Sequence, residues 1–249
     1  GGLKGAPVEV IEGKSTGLPF AANAEIVIEG WMDPTDRKTE GPFGEWTGYY
    51  ASSSRPEPVV RVENIYYRND PILCCARPGR PPSDYSIAKC MVKAALIWEQ
   101  VEKCGVPDVK GVWCHEAGGG RLFNIISIKQ RYPGHARQAM LAASQVHAGA
   151  YLGRYVIVVD EDIDPTNTFD VLWALSSRSD PVESIEILRR CWSGPLDPRI
   201  QPGKKGFNSR AVIDACRPFE WMKDFPPVAE SSPELREKIR AKWRKVIEA

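Results

Sequence analysis

Hydrophobic and polar positions change period along this chain. In the first quarter, Val8-Glu9-Val10-Ile11-Glu12, Glu25-Ile26-Val27-Ile28-Glu29 and the run over 59–67 set acidic or polar residues beside apolar or β-branched ones, with turn residues between them. That pattern predicts strands, so this region is expected to be β-rich with long loops. Glu25 and Glu29 stand four apart, and a strand puts both on one face, expected to be a solvated or edge face. From about residue 70 helices and strands alternate. Ser83 or Asp84 is placed to cap a helix through Ile87, Met91, Ala94, Ala95, Trp98 and Val101, closed by Gly105 and Pro107. Strands are predicted over 109–115 and 122–128, joined through Ala117-Gly118-Gly119-Gly120-Arg121, and a second helix over about 135–147. The continuous apolar run Tyr155-Val156-Ile157-Val158-Val159 reads as a central strand buried on both faces. Short helices are predicted over about 170–176 and 182–191. A last helix over about 233–247 follows Pro226-Pro227 and carries Leu235, Ile239, Trp243 and Ile247 on one stripe, which needs its own domain or a neighbouring subunit to cover it.

This is an α/β pattern, α+β overall. We divide it into a β-rich segment 1–68, an α/β domain 69–225, and a linker with C-terminal helix 226–249 serving as an oligomer contact.

Composition narrows the class. The 249 residues are 43% hydrophobic, enough for a substantial core in one large or two small domains. Lys+Arg 33 against Asp+Glu 32 leaves a net charge of +1, with no single-sign run and no basic stripe interleaved with aromatics, which argues against a nucleic-acid partner. No apolar run approaches the roughly 20 residues of a membrane span, and Gly1-Gly2-Leu3-Lys4 has no signal-peptide pattern, so a soluble, cytoplasmic protein is expected. The seven cysteines include no Cys-x-x-Cys and fall mostly in predicted helices or buried strands, as small apolar residues of a reduced compartment do.

The stretch with most chemistry is Glu40-Gly41-Pro42-Phe43-Gly44-Glu45-Trp46-Thr47-Gly48-Tyr49-Tyr50. Its glycines and proline exclude helix and predict a shaped loop. Glycine lets backbone approach a flat ligand, Phe43 and Trp46 offer aromatic walls, and two carboxylates held close and away from water have their pKa values pushed apart. A Gly-rich turn with solvated acids is the competing reading. Elsewhere the signals are weaker. Cys114-His115-Glu116 alternates faces on a strand and does not converge on a metal. Gly118-Gly119-Gly120 lacks the Lys-Ser/Thr of a phosphate loop and reads as a hairpin turn. Asp160-Glu161-Asp162-Ile163-Asp164 is expected to cap and to be solvated, and 201–205 is a polar, mobile-looking stretch.

The loop 40–50 resembles the active-site loop of the UbiD family of prenylated-flavin-dependent decarboxylases. Ala24-Glu25-Ile26-Val27-Ile28-Glu29-Gly30, Tyr67-Arg68-Asn69-Asp70-Pro71-Ile72-Leu73, Pro78-Gly79-Arg80, Val159-Asp160-Glu161-Asp162-Ile163-Asp164 and Val171-Leu172-Trp173-Ala174-Leu175 resemble that family in the same order. The resemblance implies the end of a β-rich split-barrel flavin-binding domain followed by an α/β layered domain. It implies reversible non-oxidative decarboxylation of an aromatic or heteroaromatic acid. Removing a carboxylate from such a carbon leaves a carbanion-like centre that side chains do not delocalise, and prenylated FMN is the implied electron sink.

Carried over residue by residue, Glu45 matches the proton-donating glutamate and Glu40 its partner. His147, or else Arg154, matches the region of a lysine on the cofactor phosphate, the competing reading of His147 being a cation at a helix end. Trp46, Ile87, Ala88, Lys89 and Leu196 match substrate walls. The closing run Ser209-Arg210-Ala211-Val212-Ile213-Asp214-Ala215-Cys216-Arg217-Pro218-Phe219 is similar to bacterial members acting on aromatic or heteroaromatic acids. The family's arginine, and the ligands of its divalent metal (Mn or Mg) and potassium, match nothing in this chain, which resembles the second half of a typical member. The expected partners are therefore an aromatic acid, the N-terminal half of the same enzyme or a companion chain, and further copies in a dimer or hexamer, with no activity from this half alone. A non-catalytic or assembly subunit of a heteromeric carboxylase, and an ordinary flavin- or nucleotide-binding α/β protein, are the rival readings.

Overall fold

The computed structural model describes residues 1–51, 53–201, 203, 204 and 206–247. Pro202 and Lys205 of the polar stretch, and the side chains of Asp84 and Ile247, lie outside the described residues.

The chain opens with a short antiparallel pair, β1 (Val10–Glu12) and β2 (Pro19–Ala21), followed by a long hairpin, β3 (Ile26–Glu40) and β4 (Arg55–Tyr67). The hairpin carries register shifts at Glu29/Gly30 and Met32/Arg37, and such bulges sharpen strand twist. Glu29 is buried here, not solvated as the spacing predicts, because neighbours supply donors. Tyr66 Oη donates to it at 2.6 Å, Asn64 Nδ2 at 2.8 Å, and the Thr16 amide and hydroxyl both at 2.8 Å. These bonds, the Tyr66 hydroxyl first, hold its carboxyl down to about 2. Glu25 remains at the surface, paired with Arg68.

Next comes α1 (Asp84–Lys103), opened by a capping box in which the Ser83 hydroxyl accepts from the Ser86 amide and the Ser86 hydroxyl accepts from the Ser83 amide. Its core face is Cys90, Ala94, Ile97 and Val101, while Ile87 and Met91 are exposed. The remainder builds a five-stranded sheet in the order β5 (Val109–Cys114), β6 (Phe123–Ile128), β7 (Tyr155–Asp160), β9 (Phe207–Ala215), β8 (Ile185–Trp192). The inner pairs β6–β7 and β7–β9 are parallel and both edge strands are antiparallel. The helix predicted over 182–191 is β8. Ile185-Glu186-Ile187 alternates at period two, and pairing with β9 overrides helix propensity.

Two cores flank the sheet. Val156 and Val158 face α1 and α2 (His135–Gln145), whereas Ile157 and Val159 face α4 (Thr168–Arg178) through Val171 and Ala174. The continuous apolar run of β7 serves both. Each fully buried aliphatic side chain contributes about 1.5–3 kcal/mol. The helix predicted to end at His147 breaks at Val146, and His147 instead opens the one-turn α3 (His147–Ala150). The acidic run after β7 is likewise paired where solvation was expected: buried Asp160 accepts from Arg178 and Arg217, and Asp162 from Arg178. Asn167 caps α4. Helix α5 (Pro233–Ile247) leaves Leu235, Ile239 and Trp243 exposed. No helix among the described residues is long and apolar enough to cross a membrane.

Candidate active site

The connection between β3 and β4 is the Gly/Pro loop. Glu40 is the last residue of β3, opposite Arg55, and Ser54 Oγ donates to the Gly41 carbonyl at 2.9 Å just beyond. The turn at 45–49 closes through two backbone bonds, Gly48 amide to Glu45 carbonyl at 2.8 Å and Glu45 amide to Tyr49 carbonyl at 3.0 Å. Gly48 has φ +86°, and a Cβ there would lie 2.6 Å from Arg80 Cα. Gly119 has φ +62°, and a Cβ there would overlap Trp46 Cε3. These two glycines seat the loop, one against the segment before α1 and the other against the β5–β6 connection. The Gly-rich run 118–120 thus receives an indole.

Three depressions lie at and beside the seated loop. The first, about 270 Å³, is lined by Glu45, Trp46, the 76–81 segment, Ser86, Lys89, Gly119 and Arg121. On the loop's other side a groove of about 690 Å³ holds Glu40, Phe43, Glu45, Tyr50, Arg55 and Leu196. A third, more apolar cleft of about 470 Å³ lies along α1 and contains Ala88, Lys89, Val92, Lys93, Leu96, Arg121, His147 and Tyr151. Glu45 belongs to the first two and Lys89 and Arg121 to the first and third, so the three depressions adjoin through shared walls.

The electrostatics are cationic on the α1 side. Lys89 Nζ sits 5.2 Å from the Trp46 ring centroid and the Arg121 guanidinium 5.5 Å from it, with Arg121 also 5.5 Å from the Tyr151 ring. Burial, reinforced by Arg121, lowers Lys89 to about 8. Burial does the same to Lys93, with repulsion from Arg121, Lys89 and Arg210 added, again to about 8. Among the described residues no carboxylate lies within ion-pair distance of Lys93, Arg121 or His147. The Arg121 Nε is buried and makes no hydrogen bond with any described residue.

The structure therefore brings together Glu40, Glu45 and Leu196 in the groove, Glu45, Trp46 and Lys89 in the first cleft, and Ala88, Lys89 and His147 in the third. Two candidates stand apart. Ile87 is exposed on α1 and lines none of these depressions. Arg154 is engaged elsewhere, its Nη2 donating to both oxygens of buried Asp197 at 2.6 and 2.7 Å. Arg121 and Lys93 were missed by sequence reasoning. Lys93 sits one turn after Lys89, a spacing that places both on one side of α1, whereas Arg121 ends a glycine run and offers no periodic signal. No group of three His, Cys, Asp or Glu converges among the described residues. His115 instead caps the turn at 116–118, its Nδ1 accepting from the Ala117 amide.

Two family models match. The 3-octaprenyl-4-hydroxybenzoate carboxy-lyase Rift-related domain covers residues 1–81, and the C-terminal domain of the same family covers 86–215. The phenolic acid decarboxylase of Streptomyces sp. (strain D7) is 34% identical over 254 residues, 97% of this chain and 52% of that protein. That of Bacillus subtilis (strain 168) is 32% identical over 218 residues, 88% and 45% of the two chains. Among solved structures, apo Klebsiella pneumoniae 3,4-dihydroxybenzoic acid decarboxylase (AroY) is similar at TM-score 0.77 and 29% identity, over 94% of this chain and 51% of that one. The UbiD-class enzyme HmfF from Pelotomaculum thermopropionicum in complex with FMN is similar at 0.76 and 29%, over 93% and 49%. The chain thus spans about half the length of the relatives it matches, and on both family models it belongs to the UbiD family.

Proposed function

We propose that this chain is part of an aromatic or heteroaromatic acid carboxy-lyase that works with prenylated FMN, with Glu45 as the proton donor. The observation that carries the reading is the position of Glu45, which borders both the cleft walled by Trp46 and the groove shared with Glu40. Relatives described as phenolic acid decarboxylases, and a structural neighbour in complex with FMN, support the reaction class and the flavin.

When bound, the cofactor supplies the electron sink that a departing carboxylate requires. The rest falls to this chain. Trp46 presents a flat wall against which a planar acid stacks. Glu45, in its acid form, delivers the proton that replaces CO2 on the substrate carbon, and Glu40 in the adjoining groove is its partner for regaining that proton. His147 and Lys93, both cationic when protonated and clear of carboxylates, suit the phosphate end of the flavin, and their third cleft adjoins the first through Lys89 and Arg121. Arg154, committed to Asp197, is a positioning residue for the 193–199 loop that brings Leu196 to the groove. The divisions at 68/69 and 225/226 belong to this proposal, as do a companion for the N-terminal segment and self-association through the exposed stripe of α5.

The test is reconstitution of the full assembly with prenylated or plain FMN, followed by CO2 release from aromatic acids. Release is expected with the prenylated form only. Comparable turnover with plain FMN would overturn the cofactor assignment.

A further inference from the structure

We propose that Arg210 is a positioning residue for the candidate site: its guanidinium ties the ends of α2, α3 and β8 together, and so sets His147 and Tyr151 in the third cleft and Leu196 in the groove. This deepens the carboxy-lyase reading and rests on it for what those walls bind.

Arg210 stands on β9 two residues before Val212, which puts it on the α1 and α2 face of the sheet. It is 1% exposed, and among the described residues no carboxylate pairs with it. Burial lowers its pKa, so the fold keeps a guanidinium where its charge is disfavoured. What it meets there is backbone. Nη1 donates to the Ser144 carbonyl, and Nη2 to the Ala150 carbonyl and, at 2.8 Å, to the Trp192 carbonyl. Ser144 and Ala150 lie in the last turns of α2 and α3, where final carbonyls lack a partner inside the helix and a cation favours the helix dipole. Trp192 is the last residue of β8. A planar fork with five donors reaches acceptors in three segments at once; glutamine, with two donors, does not.

The three tied segments are the ones that carry the walls. His147 lies between Ser144 and Ala150, Tyr151 follows Ala150 directly, and both line the third cleft. Leu196, on the groove, comes four residues after Trp192. The Trp192 ring closes the triangle, 5.5 Å from the His147 ring and 4.8 Å from the Tyr151 ring. Two glycines show how closely these backbones approach. A Cβ at Gly149 would lie 1.8 Å from the Ala143 carbonyl oxygen, and one at Gly194 would lie 2.3 Å from the Tyr151 hydroxyl. Gly194 is thus seated on the residue that follows α3, and the loop to Leu196 starts from there. Asp197, bound by Arg154, fixes that loop beyond Leu196, whereas Arg210 fixes where it begins and joins that start to His147. Glu40 and Glu45 stand outside this knot, on the β3–β4 connection. Loosening the knot therefore weakens binding by the walls and leaves proton delivery in place, a loss that raises KM without lowering kcat.

The test compares Arg210→Gln and Arg210→Lys with the unsubstituted protein, each reading being referred to the folded fraction measured by circular dichroism. In the chain itself, the nuclear Overhauser contact between the His147 and Trp192 rings is expected to vanish in Arg210→Gln and to persist, weakened, in Arg210→Lys. In the reconstituted assembly, KM for an aromatic acid and Kd for prenylated FMN should each rise at least about tenfold in Arg210→Gln and about threefold in Arg210→Lys, which keeps the charge but loses the planar fork. The kcat of the loaded enzyme should stay within about threefold. A side chain that merely fills the core predicts lower thermal stability with both constants unchanged, and that result would overturn the proposal. So would a ring contact retained in Arg210→Gln, or a fall in kcat at constant KM. If Arg210→Gln does not fold, Arg210→Lys decides, and constants equal to those of the unsubstituted protein refute the assignment. Absence of CO2 release from the unsubstituted assembly would sink the carboxy-lyase, and the ring contact together with the flavin Kd would still decide the role of Arg210.

Discussion

Between Ser86 and Cys216 the chain buries Ile97, Val101, Ile126, Val156, Val158 and Val212 on one face of a sheet and Ile125, Ile157 and Val159 on the other, whereas among the described residues before Ser86 only Gly13 and Glu29 are buried. The hairpin β3–β4 has no core of its own. Its cross-strand partners Ile28 with Ile65 and Met32 with Val60 are all exposed. The comparison teaches a division of labour: the layered sheet supplies rigidity together with Lys89, Lys93 and Arg121, and the thinly packed hairpin supplies Glu40 and Glu45. The candidate site lies on the seam between them, held by Gly48 against Arg80 and Gly119 against Trp46.

Four measurements sharpen or break that contrast. The largest effect is expected in native-state hydrogen exchange, where amides of β6, β7 and β9 should be protected by about 10²-fold or more beyond those of β3 and β4, since local opening follows buried apolar contact. Equal protection would refute the division. Next, Ile126→Ala in the sheet core is expected to cost about 2–5 kcal/mol in urea unfolding, while Ile28→Ala in the hairpin should cost under about 0.5 kcal/mol. A smaller loss, about 1–3 kcal/mol, is expected for Gly119→Ala, because the added methyl meets the Trp46 ring and φ is positive; tryptophan fluorescence should shift as the indole moves. An unchanged spectrum would mean that the seam is looser than described.

The smallest effect is acid-dependent and local. Glu29 has a carboxyl lowered from 4.5 to about 2, the Tyr66 hydroxyl bond leading, so between those values the folded form binds fewer protons than the unfolded one. Its contribution is full above pH 4.5 and fades as pH falls through about 2. In Glu29→Gln the hairpin resonances should lose that part of their acid dependence while sheet resonances are unaffected. Loss from both regions at once would argue that they unfold as one unit.

Much of the layered half was legible because its signals are periodic. The β7 run, the Ser83 cap and the break at Gly105 lie in consecutive residues, and the structure places strand, capping box and helix end there. The stripe chosen for α1 holds at Ala94, Trp98 and Val101 and fails in the first turns, where Ile87 and Met91 are exposed and Cys90 is buried. Ile87 and Met91 are as apolar as Cys90 and Ile97, and only the sheet's position decides which pair is buried. Strand β8 was misread because a short apolar run fits either period until its pairing partner β9 is in place. Glu29 and Asp160 were expected in solvent because a sequence states a charge but not its partners, here Tyr66 and Asn64 for one and Arg178 and Arg217 for the other.

The site divides the same way. The loop with Glu40 and Glu45 stood out through its glycines and through resemblance. The grouping of Lys89 with Arg121 over Trp46 joins residues 32 to 75 positions apart, and only the folded topology creates it.

The most direct test of the central claim is CO2 release by the complete, prenylated-FMN-loaded assembly carrying Glu45→Gln. Loss of turnover by about 10²–10⁴-fold, with thermal stability unchanged, is the predicted result. Turnover equal to that of the unsubstituted protein would contradict the assignment of the proton donor.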